Sequence, residues 1–292
     1  MIVISDKSGQ LGNRIIVFAS FIAIACEQNL TVANPSFEEY SDYFDSCKNY
    51  LIPGYPKAYF KTSKKYLRRF SYRLAYLVAR ILHRLKFNSR YLGYIYLDSN
   101  ERFNLQTKHK LLEKTFCLVQ GWGFQPGQLL SKHRERICAF FQPGHEYNLR
   151  ITEFISQAKT GNRLLIGIHI RQGDYKNFEG GKYFFETDSY IRLISHLNQQ
   201  FFTELNQKPR FVIFSNQSLK QEVFHLLDGI DFIFGPGHEL LDMYCLSACN
   251  YICGPPSTYT IWASFYGNAP LFMFREPGKK ISPSEFLVWK PD

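Results

Sequence analysis

From residue 164 onward, short apolar runs alternate with segments of helical period, and this alternation restricts the fold more than any other feature of the chain. The pattern predicts strands over 164–170, 210–215, 230–234, 251–253 and 271–274, separated by helices over 189–202, 219–227, 239–248 and 258–266. Thr187 and Asp188 are the capping candidates for the first of these helices. Strands joined through helices run parallel, cross over right-handedly and leave a ligand crevice beyond their carboxyl ends. The start of the chain follows the same logic, with a strand over 2–5, a glycine turn over 9–14, a helix over 15–27 and a strand over 30–33. Beyond Asn34-Pro35-Ser36 the stretch 37–56 is aromatic and irregular. A strand over 116–120, the turn Gly121-Trp122-Gly123-Phe124 and a helix over 129–141 follow, and Gln142-Pro143-Gly144 ends that helix.

A chain of 292 residues exceeds one comfortable core at about 150 residues per domain. The expected class is α/β, with two Rossmann-like lobes, parallel sheets and a cleft between them, divided as 1–155 and 156–292. Apolar residues make up 45% of the chain, and 27 Phe and 19 Tyr supply enough core for both lobes, which excludes a disordered protein. The net charge of +10 favours an anionic partner. Much of that charge lies between Lys57 and Arg90, so it is a local feature and no nucleic acid partner is expected.

Leu67, Phe70, Leu74, Leu77, Ile81 and Leu85 recur at helical spacing over 64–86, with Arg69, Arg73, Arg80 and Arg84 in a separate stripe. This is a basic amphipathic helix, read either as a cover for the first lobe or as a dock for anionic lipid headgroups. The apolar run 15–26 is too short to span a bilayer, and the start of the chain lacks a signal-peptide pattern. Seven cysteines without a C-x-x-C pair fit reduced, buried thiols. A cytoplasmic location, peripheral at a membrane if the basic helix docks, is the expectation. Cys245, Cys249 and Cys253, with His238 upstream, read either as a zinc set or as small buried hydrophobes.

Three segments fall directly after predicted strands, where such a fold binds ligands: Gly9 to Arg14, His169 to Tyr175 and Gly254 to Thr260. In H-I-R-Q-G-D-Y, strand alternation points His169 and Arg171 to one face. Arg171 can grip a diphosphate bidentately and neutralise a leaving phosphate without a metal; alternatively it is a structural partner of Asp174. Ser257 and Thr258 start a helix after a rigid Pro-Pro turn, which makes them either a phosphate seat or an ordinary N-cap. No D-x-D triplet occurs in the chain, which disfavours a metal ion bridging paired acids to a diphosphate.

Taken together, G-Q-L-G-N-R, W-G-F with F-F-Q-P, H-I-R-Q-G-D-Y and D-M-Y-C-L-S-A-C-N-Y-I-C-G-P-P-S-T-Y resemble the alpha-1,2-fucosyltransferase family, within a superfamily that includes alpha-1,6 and protein O-fucosyl enzymes. The resemblance leaves residues 57–106 unaccounted for. It implies a GT-B-like fold and inverting, metal-independent transfer of L-fucose from GDP-fucose to a glycan or lipid-linked glycan, with no cofactor beyond the donor. By position it assigns Arg171 to the donor β-phosphate, and His169 and Asp174 to the shape of that loop and the sugar site. Gly12 and Asn13 belong to the family's glycine turn. Asp242 matches an acid near the guanine or ribose pocket, Ser257 and Thr258 the phosphate-binding small residues, and Glu179 an acid proposed as general base. Asp174 and Glu179 both remain candidates for that base. Tyr259 and Trp262 stand where the family has an aromatic pair. Gln172 replaces a second arginine, Arg14 a glutamine, and Asn216-Gln217 an acidic pair. These departures leave open another nucleotide sugar, or a catalytically inactive nucleotide- or glycan-binding relative.

Overall fold

The computed structural model describes residues 1–87, 89–97, 114–123, 127–161, 163–217, 225–276 and 278–291. The chain folds as two units, residues 1–145 with the C-terminal residues from Lys290, and residues 146–289. The boundary expected between 155 and 156 lies in the same helix, His145–Ala158, as the boundary between these units.

In the first unit the elements are β1 (Ile2–Ile4), α1 (Leu11–Gln28), β2 (Val32–Ala33), β3 (Tyr50–Ile52), β4 (Gly54–Tyr55), β5 (Tyr59–Lys61), α2 (Lys65–Arg84), β6 (Leu92–Leu97), β7 (Phe116–Gly121), α3 (Leu129–Lys132) and α4 (Arg134–Phe140). Its main sheet has the order β4-β2-β1-β7-β6. All neighbours are parallel except β2 and β4. Helix α1 starts at Leu11, earlier than expected, because Gly9 turns the chain with φ +61° and Leu11 is already buried. Gly12 and Asn13 therefore lie in its first turn and not in a loop. At 18 residues α1 is long and apolar enough to cross a membrane, yet most of it is buried within this protein. It carries Phe18 into edge-on contact with Phe37, Phe140 and Phe141 at centroid separations of 5.2–5.6 Å. Such aromatic pairs add about 0.5–1.5 kcal/mol each beyond their burial. The single helix expected over 129–141 breaks at His133, whose backbone leaves helical geometry and whose ring meets Glu27 at 2.9 Å.

The second unit contains α5 (His145–Ala158), β8 (Leu165–Ile170), α6 (Thr187–Leu205), β9 (Arg210–Ser215), β10 (Phe232–Phe234), α7 (Glu239–Ser247), β11 (Tyr251–Gly254), α8 (Thr258–Gly267), β12 (Pro270–Met273) and β13 (Leu287–Val288). Strand order is β10-β9-β8-β11-β12-β13, parallel throughout except for the terminal β13. β8 is buried at all six positions, as a central parallel strand covered on both faces requires. Of the expected helix over 219–227, residues 219–224 lie outside the described residues and 225–227 form a 3-10 turn. Thr187 and Asp188 do not cap α6. Glu186 is its N-cap residue, without a side-chain cap, and the Thr187 hydroxyl accepts instead from Gln172.

Candidate functional site

The second sheet reverses its build direction between β8 and β11: from β8 the chain goes outward through β9 and β10, then returns to the other side of β8 with β11. At such a switch point the two loops leaving neighbouring strands diverge, and the opening beyond the strand ends accepts a ligand. The loops concerned are those of His169 to Tyr175 and Gly254 to Thr260.

His169, near the end of β8, is buried and stacks on Tyr259 of α8 at 4.8 Å with an interplanar angle of 22°. Its Nδ1 has no hydrogen-bond partner among the described residues. Burial, joined by the neighbouring Arg171 cation, holds its pKa down at about 3, so the ring is neutral across the physiological range. Gly254 makes the stacking possible. A Cβ there would lie 3.0 Å from both the His169 Cβ and its carbonyl oxygen.

Arg171 follows β8 directly. Its Nη2 donates to Asp174 Oδ2 at 2.7 Å, and its guanidinium lies 5.3 Å from the centre of the Tyr175 ring. The Tyr175 hydroxyl in turn donates to the Pro256 carbonyl at 2.6 Å, which ties the loop after β8 to the loop after β11. The ion pair is asymmetric: the Arg171 side chain is 13% exposed and the Asp174 side chain 52%. The arginine is thus enclosed by its surroundings, while the aspartate is a solvated partner. The alternative reading of Arg171 as a partner of Asp174 matches this contact.

Glu179 lies on an exposed turn in left-handed geometry, φ 47° and ψ 41°, which is costly for a residue with a side chain. The turn is held by Phe178, which stacks on Tyr175 at 5.3 Å. Glu179 also acts electrostatically on the Tyr175 hydroxyl.

Asp242 is buried in the first turns of α7, where its Oδ1 accepts from the Gly237 amide at 2.9 Å. Burial raises its pKa to about 6, against the lowering effect of the amides of Gly237 and His238. Tyr259 links this acid to the switch point: its hydroxyl donates to the Glu239 carbonyl at 2.8 Å, and burial with the Asp242 charge pushes its own pKa well up.

Ser257 is the N-cap of α8, accepting from the Tyr259 amide at 3.2 Å. The capping reading of Ser257 therefore holds, and Thr258 is the first residue of the helix. In the second unit, then, His169, Arg171, Asp174, Glu179, Ser257, Thr258 and Tyr259 gather at one end of the sheet, and Asp242 adjoins them through Tyr259.

Two departures from the family pattern are partners here. The Gln172 amide donates to Asn216 Oδ1 at 3.1 Å, and Gln172 Nε2 donates to the Phe185 carbonyl and the Thr187 hydroxyl at 3.0 and 3.3 Å. Together they pin the Arg171 loop to the end of β9 and the start of α6. The sequence reading missed this role, and missed Tyr175 as the bridge between the loops. Both residues lie within the motif H-I-R-Q-G-D-Y, but their partners are 13 to 81 residues distant in sequence.

In the first unit the switch point lies between β1 and β7. The turn after β1 is fastened to β7 by the Gly121 amide, which donates to Asp6 Oδ2 at 3.2 Å, and by the Ser8 hydroxyl, which donates to the Gly121 carbonyl at 3.2 Å. The Asn13 side chain folds over Gly9, whose missing Cβ leaves it room. Arg14 is structural: Nε donates to the Gly9 carbonyl at 3.1 Å, and Nη1 donates to the Ser36 carbonyl and meets Glu39, both at 3.0 Å. Phe124 of the W-G-F motif lies outside the described residues.

Cys245, Cys249 and Cys253 are buried thiols whose pKa values burial pushes up, which is the small-hydrophobe reading. Among the described residues no three His, Cys, Asp or Glu side chains are grouped to hold a metal ion.

No protein-family model and no curated protein sequence matches the chain. Solved structures do. A point mutant of Arabidopsis thaliana FUT1 in complex with GDP superposes with a TM-score of 0.61 at 13% identity, over 97% of this chain and 72% of that one. Fucosyltransferase NodZ from Bradyrhizobium gives 0.56 at 13% identity, over 95% and 96%. NodZ alpha-1,6-fucosyltransferase soaked with GDP-fucose gives 0.55 at 14% identity, over 95% and 97%. The chain has a GT-B-like fold. At these identities the likeness extends to architecture, and what the site does is argued from its own residues.

Proposed function

We propose that the chain is an inverting, metal-independent glycosyltransferase that moves L-fucose from GDP-fucose to a hydroxyl of a glycan or glycolipid acceptor. Among fucosyltransferases, the alpha-1,2 branch is the one its motifs resemble most. The observation that carries the reading is Arg171: a largely enclosed guanidinium at the β8/β11 switch point, braced by Tyr175 and balanced by an exposed, displaceable carboxylate. The fold it shares with structures holding GDP or GDP-fucose supports the choice of donor.

In this reading the donor diphosphate displaces Asp174 and takes two donors from Arg171, with the start of α8 adding its partial positive charge. The acceptor oxygen attacks the anomeric carbon as the bond from that carbon to the β-phosphate oxygen breaks. The acceptor proton passes to a carboxylate, and GDP leaves with its new charge held by Arg171. Glu179 is the better base. It is exposed on a strained turn whose Phe178 stacks on Tyr175, while Asp174, released from Arg171 by the diphosphate, is the alternative. Asp242 and Tyr259 border the nucleoside. His169 remains neutral and supports Tyr259.

The test is donor turnover by purified protein, followed as GDP release with and without candidate acceptors. Wild type is expected to turn over GDP-fucose, and Arg171→Ala to lose that activity. Turnover of a different nucleotide sugar would redirect the donor assignment, and GDP binding without turnover of any donor would identify an inactive relative.

A further inference from the structure

Helix α2 is attached to the first unit in an inverted way. The residues it buries are Arg68, Ala79 and Leu82, the last two against Leu118, Val3, Leu92 and Tyr94. Arg68 is only 2% exposed and pairs with Asp42 at 2.7 Å. A second cationic tether joins the same helix, since Lys7 sits 4.4 Å from the Tyr72 ring. The apolar stripe recognised in the sequence points the other way. Leu67, Phe70, Leu74, Leu77, Ile81 and Leu85 are all exposed, with Phe70 at 64% and Leu77 at 56%. The stripe continues into exposed Phe87 and Tyr91 beyond the helix end. A helix on a soluble domain ordinarily turns such a face inward, and a contiguous exposed patch of this kind marks a surface that something covers.

The charge beside the patch identifies what covers it. Arg69, Arg73, Arg80 and Arg84 are exposed and, at about 100° per residue, form a second stripe alongside the apolar one. The helix contains no acidic residue. A second copy of the chain packed through this face would bring like-charged arginine rows together, and an uncharged protein groove would leave them unanswered. An anionic bilayer satisfies both stripes, taking the leucine and phenylalanine side chains below the headgroups and the guanidinium groups among the phosphates. We propose that α2 docks this chain in the plane of an anionic lipid surface. The proposal is independent of the transferase reading, because it uses none of the residues at the β8/β11 switch point.

The experiment is sedimentation of the full chain with vesicles of phosphatidylcholine alone and of phosphatidylcholine mixed with phosphatidylglycerol, at low and high salt. Binding is expected with the anionic vesicles, weakening as salt rises and falling at least tenfold on neutral ones. Replacing Arg73, Arg80 and Arg84 together by Gln should weaken it roughly 100-fold, at about a factor of five per cation. Replacing Leu74, Leu77 and Ile81 by Ser should abolish it. All six side chains face solvent, so an unchanged thermal transition separates lost docking from lost folding. Wild type left in the supernatant with anionic vesicles at low salt would overturn the proposal. So would undiminished binding by either variant, or self-association without lipid that only the serine variant relieves.

Discussion

At the scale of single residues, burial sets the protonation of His169, Asp242 and Tyr259. Asp242 is the clearest case. Its pKa is raised to about 6 in the fold, against about 4 in an unfolded chain. Between those values the folded state holds a proton that the unfolded state has released. The stabilisation is therefore complete below the unfolded pKa and is lost as pH rises through about 6. Asp242→Asn keeps an acceptor for the Gly237 amide but removes the buried charge. It should be more stable than wild type by about 1–3 kcal/mol at pH 8, with the difference vanishing near pH 4, as measured by urea unfolding at both values. A difference that does not change with pH would mean the carboxylate is not strained by burial. The two other acids can be separated by their distinct duties. Glu179→Gln should lower turnover by roughly 10²–10⁴-fold and leave GDP affinity unchanged. Asp174→Asn, by releasing the guanidinium, should hold or raise GDP affinity. If Asp174→Asn abolishes turnover while Glu179→Gln does not, the base assignment reverses.

At the scale of elements, much of the second unit was legible because parallel strands and crossover helices write separate periods into the sequence. Strand Arg210–Ser215 lies where alternation placed it, and β8 and α7 differ from their expected spans by a single residue. What eluded the sequence depends on distant partners. Thr187 resembles a cap but receives Gln172, and Ser257 resembles a cap and is one, so composition at a helix start does not distinguish the two duties. The helix over 145–158 was missed, as were the short strands at the sheet margins. The most consequential hidden feature is the orientation of α2: its period was clear, but burial of Arg68 beside Asp42 turned the apolar stripe outward. Gly267 shows a packing requirement with no sequence signature. At the end of α8 it lies against the backbone of Ser247, the last residue of α7, and a Cβ would overlap the Ser247 carbonyl. Gly267→Ala should cost roughly 3 kcal/mol, because a backbone carbonyl cannot rotate away as a side chain can. Thermal unfolding checks this, and a transition within about 1 °C of wild type would contradict so tight a contact.

At the scale of the molecule, each unit carries a mainly parallel sheet whose strand order reverses beside its first strand, and the loops of Gly9 to Arg14, His169 to Tyr175 and Gly254 to Thr260 follow strands at those reversals. Three sequence segments with no periodic reason to resemble one another each follow a strand. The fold explains that coincidence, since the carboxyl ends of parallel strands are where loops can hold a ligand without interrupting the ladder. The account rests on Arg171 gripping a diphosphate with no metal ion as intermediary. Calorimetric titration of GDP into the protein in excess chelator, beside guanosine as the phosphate-free control, tests this most directly. Wild type should bind GDP under chelation and bind guanosine far more weakly, and Arg171→Ala should lose roughly 10- to 100-fold in GDP affinity, the loss of one charge-assisted contact, with guanosine unaffected. GDP binding that needs a divalent cation, or that is indifferent to Arg171→Ala, would contradict it.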